Sequence, residues 1–473
     1  MIVLPSWRLA LVGLTLGVMA AGCASYEAAP LDPKHTAAQF GARRLDDRGL
    51  QEQLVRILPR AGESWPPRSW DRGELLAVAL LQNPELSVAR AEVESALARE
   101  ITAAQPLNPA LTLQSEYAAH QEMHPWLYGL SLEWLVRSPE RRRLERGIAR
   151  SDTANVRNRL MDRTWSIRHA LNAALSDWEG ARRRLALLDR LSVAQDRLLA
   201  LEKDRVRAGE DSPSETVTAE QARIDVEQQQ AQLKAAANVA QAAAAKALGL
   251  PPDALDAIVF VWPDWGTPPP VSEQERDAAR EQALLSRADL GVAIGEYAIR
   301  EAQLKLAVAR QYPQLTLSPG YYWDHGVAKF PFDVGFTLPV NGNKGEIAEA
   351  RSARDIAGKR LLALQADIYG EISAAERAEN LARTGAETAE RRLETARRQL
   401  QQSDLGVRLG ETDVLERVGA EILSIRAELE VVEMQERLQA ARNDLEDVLH
   451  APLSGPEVAL AQASYGLSPG VGS

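Results

Sequence analysis

The sequence predicts a mostly α-helical chain with a small β part, in which a unit of helix, β-hairpin, long helix and half-length helix occurs twice. Three observations predict this fold class: long proline-free runs of helical composition, four short segments of alternating apolar and polar residues, and motifs that recur at a constant offset. Hydrophobic residues make up 45% of the 473 residues, which is enough for ordinary cores and excludes disorder throughout.

Each predicted unit contains one very long helix flanked by helices about half as long. The run over 139–208 has no proline after its first residue and holds 70 residues, which corresponds to about 105 Å of helix. The flanking runs, 71–105 and 213–248, hold 35 and 36 residues, so two half-length helices placed end to end match the long one. In the second unit the corresponding runs are 272–311, 342–405 and 411–450.

Several motifs recur about 204 residues apart. The stretch 109–113 (PALTL) falls on 313–317 (PQLTL), and 83–86 (NPEL) falls on 287–290 (RADL). The sequence therefore predicts, in order, a first repeat over 71–250, a linker rich in proline and tryptophan over 251–271, a second repeat over 272–451 and a C-terminal tail over 452–473.

Four segments alternate between apolar and polar residues, and they form two hairpins. The predicted strands are 109–120, 126–136, 313–324 and 330–340. An apolar face with aromatic residues near the ends is typical of membrane β-strands, and a soluble sheet packed on helices is the alternative. Four strands cannot close a membrane barrel, and unpaired edges are costly in lipid, so we expect the chain to form oligomers.

The N-terminus is organised like a bacterial export signal. A short basic segment precedes a 13-residue apolar core, 9–21, which is too short to span a bilayer. The small residues before Cys23 resemble the lipobox of bacterial lipoproteins. This resemblance implies a signal peptide over 1–22 and acylation of Cys23 at the start of a lipidated segment, 23–70. A plain signal peptide with an incidental cysteine is the alternative.

Charge and cysteine content exclude several classes of function. The formal net charge is −11, so we expect no nucleic-acid partner. Cys23 is the only cysteine, so neither an internal disulfide nor a cysteine-based zinc site can form. No nucleophile-elbow, Walker A or dinucleotide-binding motif occurs, and the sequence therefore predicts neither an enzyme nor a cofactor.

The order of these elements, together with local motifs, resembles the TolC-type outer-membrane factor family over about residues 70–451. The motifs are NPEL at 83–86, NPALTL at 108–113, YPQLTL at 312–317, RAGE at 207–210 and RLGETDVLERV at 408–418. More loosely, the chain resembles the lipoprotein and heavy-metal-efflux branches of that family. The resemblance implies a homotrimer that forms a 12-stranded outer-membrane β-barrel on a 12-helix periplasmic α-barrel.

The same resemblance implies a function, partners and a location. The chain would be the exit duct of a tripartite efflux pump or, alternatively, of a type I secretion system. Its partners would be a periplasmic adaptor (membrane fusion protein), an inner-membrane transporter of the RND type and outer-membrane lipid. It would lie in the cell outer membrane, anchored by lipid, with a long periplasmic extension.

Two other classes of protein remain open. A periplasmic coiled-coil adaptor or scaffold lipoprotein would explain the long helices and Cys23, but it would not explain the two matched hairpins. An envelope hydrolase would explain neither feature.

Two acids beside the second long helix match the carboxylates that narrow the periplasmic mouth in this family. They are Asp413 and Glu416, and the resemblance implies that three copies of each would repel one another and attract cations. The alternative is a helix N-terminus that carries acids because they favour the helix dipole.

Four further acids lie on the polar faces of the predicted strands, namely Glu116, Glu133, Asp324 and Asp333. Three copies of each would make an acidic exit, and an ordinary solvated face is the alternative. The hairpin tips carry His120, Met123, His124 and His325, whose donor atoms suit a soft metal. Solvated loop histidines are the favoured interpretation, so the sequence predicts no metal site.

Overall fold

The structure, a computed structural model, describes residues 26–58, 65–119 and 123–458, without the side chain of Ser286. The predicted signal peptide, Cys23 and His120 lie outside the described residues, as does the predicted tail from 459 onwards. The described residues up to Arg43 belong to a separate small unit. They include the helix α1 (Pro33–Gly41), and the side chain of Asp32 accepts a hydrogen bond from the N–H of Lys34 at 3.0 Å.

The second unit, from Arg44 onwards, is mostly helical, as predicted. Its α-helices in chain order are α2 (Arg48–Ile57), α3 (Arg72–Gln82), α4 (Pro84–Ala104), α5 (Pro139–Ala208), α6 (Pro213–Leu248), α7 (Glu273–Ser286), α8 (Ala288–Ala309), α9 (Lys344–Leu409) and α10 (Val414–Leu449). The two long helices hold 70 and 66 residues, and each is followed by a helix of 36 residues.

The helices predicted over 71–105 and 272–311 are each divided in two. In the first, the side chain of Asn83 accepts a hydrogen bond from the N–H of Glu85 at 2.8 Å and so caps a new helix, α4. Pro84 at the first position of α4 has no N–H for the preceding turn, so α3 cannot continue through it. The second break, at Arg287, separates α7 from α8 without a proline.

A small antiparallel sheet forms from the predicted hairpins. Its strands are β1 (Ala110–Tyr117), β2 (Trp126–Val136), β3 (Leu315–Asp324), β4 (Val327–Lys329) and β5 (Phe332–Phe336). The sheet order is β1–β2–β3, and both β4 and β5 pair with the far side of β3. The two hairpins therefore lie side by side in one sheet.

The prediction of a single strand over 330–340 was wrong in two respects. The observed strand is interrupted at Pro331, and it ends at Phe336. The two pieces keep one register, because Tyr322 pairs with Lys329 and Pro319 pairs with Phe332. Pro331 has no N–H to donate, although its carbonyl still accepts a hydrogen bond from the N–H of Gly320 at 2.9 Å.

The long helices α5 and α9 pack against one set of helices near the sheet and against another set farther from it. Near the sheet the order of packed helices is α4–α5–α8–α9, and beyond it the order is α6–α5–α10–α9. First-half elements (β1, α4 and α6) therefore form one edge of every layer, and second-half elements (β4, β5 and α9) form the other. Within the described residues, no strand pairs with the outer side of β1 or of β5.

The largest apolar core includes the predicted linker, which is packed rather than loose. Trp70 forms a parallel bridge with Phe260, and Phe260 stacks on Trp178 with ring centroids 6.3 Å apart. The indole N–H of the buried Trp265 donates to the hydroxyl of Ser176 at 3.0 Å. These contacts join the segment after α6 to α3 and to the middle of α5.

A buried charge cluster fixes the segment that follows α10. Nε of Arg168 donates to Glu457 at 2.7 Å, and the same guanidinium forms an ion pair with Glu446. Burial opposes the charged form of Arg168, but Glu457 and Glu446 raise its pKa nevertheless. All three side chains are almost completely buried, so removal of either acid would leave an incompletely paired buried cation.

His450 makes the stability of this region depend on pH. Its ring stacks on Trp165 with centroids 5.4 Å apart, and burial together with the charge of Arg287 lowers its pKa from 6.5 to about 4. The folded chain therefore resists protonation that the unfolded chain accepts, so we expect up to about 3 kcal/mol of stability to be lost as the pH falls from 6.5 to 4.

Thermal unfolding followed by circular dichroism between pH 7 and 4 tests this prediction. His450 has a φ of 48°, which asparagine tolerates, so H450N should unfold with a weaker dependence on pH than the wild type. H35N, at an exposed position in the N-terminal unit, is the matched control and should keep the wild-type dependence. Equal slopes for H450N and the wild type would contradict the prediction.

Candidate functional site

One face of the sheet is apolar and exposed. Directly paired residues project to the same face, and the register pairs Leu111 with Leu132 and Leu317 with Val334. The exposed apolar side chains of this face include Leu111, Leu113, Tyr117, Trp126, Tyr128, Leu130, Trp134, Val136, Leu315, Tyr321, Trp323, Phe332, Val334 and Phe336. A continuous apolar surface of this kind marks contact with lipid or with another protein rather than with water.

The four predicted strand acids all lie on the opposite, polar face, at two levels. Near the hairpin tips, Glu116 and Asp324 both pair with Leu127 of the strand between them. At the other end, Glu133 pairs with Ala110 and Asp333 pairs with Ser318. The structure therefore brings the acids to one face but not into one cluster.

Local partners already balance one of these acids. The carboxylate of Asp324 forms an ion pair with Lys329 and lies 2.5 Å from Nδ1 of His325. The sequence prediction missed Lys329, although the hairpin between β3 and β4 places it directly across from Tyr322, beside Asp324. The tip level of the polar face is therefore less acidic than its carboxylates alone indicate.

The tips of the two hairpins touch each other. A Cβ atom added to Gly326 would lie 2.9 Å from Cδ2 of His124, so the imidazole of the first tip lies against the backbone of the second. In the part of the chain that the structure describes, no group of three or more His, Cys, Asp or Glu side chains could hold a metal ion.

The opposite end of the long helices consists of two matched turns. α5 ends at Gly209 and α9 ends at Gly410, with φ of 77° and 73°, a conformation that favours glycine. The next N–H groups close the helix ends, since Glu210 donates to the carbonyl of Arg205 at 2.9 Å and Glu411 donates to that of Gly406 at 2.8 Å.

Arg205 connects these two turns. Its Nη1 lies 2.6 Å from Oδ2 of Asp413, and its Nε forms an ion pair with Asp211 of the first turn. The hydrogen bond and charge of Asp211, followed by the charge of Asp413, raise the pKa of Arg205. Asp413 is also the N-cap of α10 and accepts a hydrogen bond from the N–H of Leu415 at 3.3 Å.

Glu416, the second predicted gate acid, differs from Asp413 because it is exposed and has no ion pair or side-chain hydrogen bond among the described residues. A third acid at this end, Glu202, is buried, and burial together with Asp211 and Glu215 raises its pKa. Sequence analysis missed both Arg205 and Glu202. Arg205 lies one helical turn before Gly209, but its partner Asp413 is 208 residues away, so local spacing gave no sign of the pair.

Among the described residues, every helix is too short or too polar to cross a membrane. No protein-family model matches the chain, and no curated protein matches it either.

Solved structures of outer-membrane proteins do match the chain. The outer-membrane channel OprN is 18% identical, with 91% of this chain and 98% of that chain covered at a TM-score of 0.68. A membrane protein from Pseudomonas aeruginosa is 20% identical, with 80% and 93% covered at 0.66. VceC, an outer membrane protein of Vibrio cholerae, is 16% identical, with 81% and 97% covered at 0.66. The chain therefore has the fold of the TolC-type outer-membrane channels.

Proposed function

We propose that this chain is the outer-membrane exit duct of a tripartite efflux pump and that it works as a homotrimer. The observation that carries the proposal is a sheet with an exposed apolar face, a polar face and two unpaired edges, attached to helices of 70 and 66 residues. Such a sheet suits lipid on one face and water on the other. A periplasmic adaptor or scaffold would leave this apolar face unexplained.

The arrangement of the edges supports a closed ring of copies. First-half elements lie at one edge of every layer and second-half elements at the other, so the second-half edge of one copy meets the first-half edge of the next. Two copies would give eight strand positions, and a barrel of about eight strands is filled by its own side chains. Three copies give twelve strand positions and leave room for a duct.

We infer that the chain halves are two copies of one unit. Each half runs through two helices, strands, a helix of 70 or 66 residues and a helix of 36 residues. In the trimer each long helix would lie beside two half-length helices placed end to end, which gives twelve helices around the periplasmic tunnel. Glu116, Glu133, Asp324 and Asp333 would then line the lumen of the barrel.

Asp413 and Glu416 form the periplasmic gate in this proposal. Three copies of each acid would converge on the trimer axis, where each carboxylate raises the cost of ionising its neighbours. Asp413 is paired with Arg205, which it shares with Asp211, whereas Glu416 has no ion-pair partner among the described residues. Cations held among the acids would relieve the repulsion and obstruct the passage.

The chain would lie in the outer membrane, anchored by acylated Cys23 and extending far into the periplasm. A periplasmic adaptor and an inner-membrane transporter of the RND type would complete the pump. The proposal involves no enzymatic step, no cofactor and no nucleic acid. Its direct test is the purified chain in detergent and in planar bilayers: a trimer that conducts ions supports the proposal, and a monomer without conductance overturns it.

Arginine at two adjacent positions of β2 tests the assigned faces of the sheet. Leu132 lies on the apolar face opposite Leu111, and Ser131 lies on the polar face opposite Thr112. L132R should cost about 2–4 kcal/mol near the bilayer midplane and lower the yield of folded trimer, whereas S131R should be far milder. Heat resistance of the trimer on gels measures both variants, and equal damage would contradict the assignment.

Substitutions of the gate acids should open the closed mouth. D413A combined with E416A should raise conductance in planar bilayers and weaken block by divalent cations, because the carboxylates that hold the obstructing cations are gone. E416Q alone should have a larger effect than D413N, since Asp413 shares the positive charge of Arg205 with Asp211 whereas Glu416 has no ion-pair partner among the described residues.

E390Q removes an exposed acid from the middle of α9 and is the matched control for the gate variants. It should leave conductance and block unchanged. If the double variant behaved like E390Q, the constriction would lie elsewhere, with the turn around Asp211 and Glu215 as the next region to test.

Acylation of Cys23 is tested by mass spectrometry of the mature N-terminus. We expect a lipid-modified chain that begins at Cys23 and a C23S chain that lacks the modification and is partly mislocalised. A partial loss of function is expected because the barrel itself would hold the protein in the membrane. An unmodified wild-type chain cut at another residue would disprove acylation.

A further inference from the structure

A strongly basic segment lies where the sheet meets the helices. The stretch 137–150 holds six arginines and two glutamates, whereas the whole chain has a net charge of −11. It begins directly after β2 and forms the first turns of α5, at the end of the sheet opposite the hairpin tips. In the proposed trimer this level is the periplasmic surface of the outer membrane.

Four of the six arginines are engaged in holding the junction together. Arg141 is buried and donates to the carbonyls of Ala309 and Tyr312, both at 2.7 Å, which closes the end of α8. The other three donate to groups nearby: Arg137 to Glu145 at 2.7 Å, Arg146 to the carbonyl of Ala104 at 3.0 Å and Arg150 to Glu100 at 3.0 Å. These contacts within the chain explain why the four arginines are present.

Arg142 and Arg143 are different. Both are exposed, and neither side chain makes a hydrogen bond or an ion pair with any residue that the structure describes. The two differ in position, because Arg142 lines a cleft and Arg143 does not. An unpaired guanidinium beside a cleft is available to an anion from outside the chain.

The cleft combines this charge with apolar walls. Its volume is about 290 Å³, and it lies between the end of β2, the segment after α4 and the first turns of α5. Trp134, Val136 and Leu317 extend the apolar face of the sheet into it, and Leu107 closes one side. Trp134 is half exposed, as is usual for tryptophan at the boundary between lipid and water.

We propose that this cleft binds an anionic phospholipid, with the phosphate on Arg142 and the first part of an acyl chain on the apolar wall. This inference rests on the proposed function, because it places the junction at the membrane surface. The apolar walls favour a lipid over free phosphate, which would gain nothing from them. The residues that line the cleft include no acid, which favours an anionic headgroup over a zwitterionic one, whose ammonium would find no carboxylate in the lining.

Native mass spectrometry of the purified full-length trimer in detergent, with added phosphatidylglycerol, tests the proposal. R142Q should weaken phosphatidylglycerol binding by about fivefold to tenfold, the effect of one arginine at a membrane surface. R143Q removes the same charge from the next residue, outside the cleft, and should bind as the wild type does. R142K keeps a cation and should retain most of the binding.

Two further additions identify what the cleft recognises. Phosphatidylcholine should bind the wild type more weakly than phosphatidylglycerol, and inorganic phosphate at millimolar concentration should not displace the lipid. Equal loss in R142Q and R143Q would show unspecific attraction to a basic surface and would overturn the proposal. Displacement by inorganic phosphate, or equal binding of both lipids, would overturn it as well.

These spectra, together with the conductance measurement in planar bilayers, separate this inference from the proposed function. A trimer that conducts ions but shows no preference for phosphatidylglycerol would contradict the lipid site and would leave the proposed function standing. A chain that forms no trimer in any variant would contradict the proposed function. The trimer peak of R142Q also shows whether the variant has assembled, so a folding defect cannot be mistaken for a loss of lipid.

Discussion

Among the described residues, the outer N–H and C=O groups of β1 and β5 have no partner strand, and the proposed assembly depends on this constraint. Within lipid each unsatisfied backbone group costs several kcal/mol, so in the membrane location that we propose a sheet with two such edges would need further strands. The apolar face of the sheet also needs a covering other than water, because its side chains are exposed over the whole width of the sheet. In the proposed trimer, closure by further copies would satisfy both demands together and would also determine which helix edges meet.

The middle of the helical part is held in a different way. Glu379 is fully buried and accepts from Arg276 at 2.9 Å and from Arg383 at 2.6 Å, with Arg442 at 3.7 Å. Burial would raise the pKa of Glu379, but these three cations lower it. Together with the cluster around Arg168, this network makes the centre costly to disturb, since loss of one member leaves a buried charge unpaired.

Sequence patterns revealed whichever features repeat locally. The absence of proline predicted the length of α5, and alternation predicted which strand residues share a face, which the register through Leu111 and Leu132 agrees with. Alternation alone predicted that the fourth strand continues through Pro331. The strand is interrupted there because proline has no N–H to donate to the neighbouring strand. The ion pair of Arg205 with Asp413 was not predicted because a contact between distant turns leaves no periodic signal in the sequence. The segment 251–271 was predicted as a linker because it is rich in proline, although its tryptophans are packed.

The two ends of α5 differ in how their arginines are paired: Arg142 has no ion pair among the described residues, whereas Arg205 pairs with Asp211 and Asp413. Arg142 and Arg205 are 63 residues apart, or about 95 Å along the helix, whereas charges at physiological salt are screened within about 8 Å. Neither end can therefore influence the other through its field, and any coupling must pass through the packed centre. At the far end the turns are joined by a partly exposed ion pair, and such pairs contribute little to stability because water screens them. The ion pair between the turns can therefore break at little cost while the buried networks and the paired strands remain intact, which suits the closable mouth that we propose.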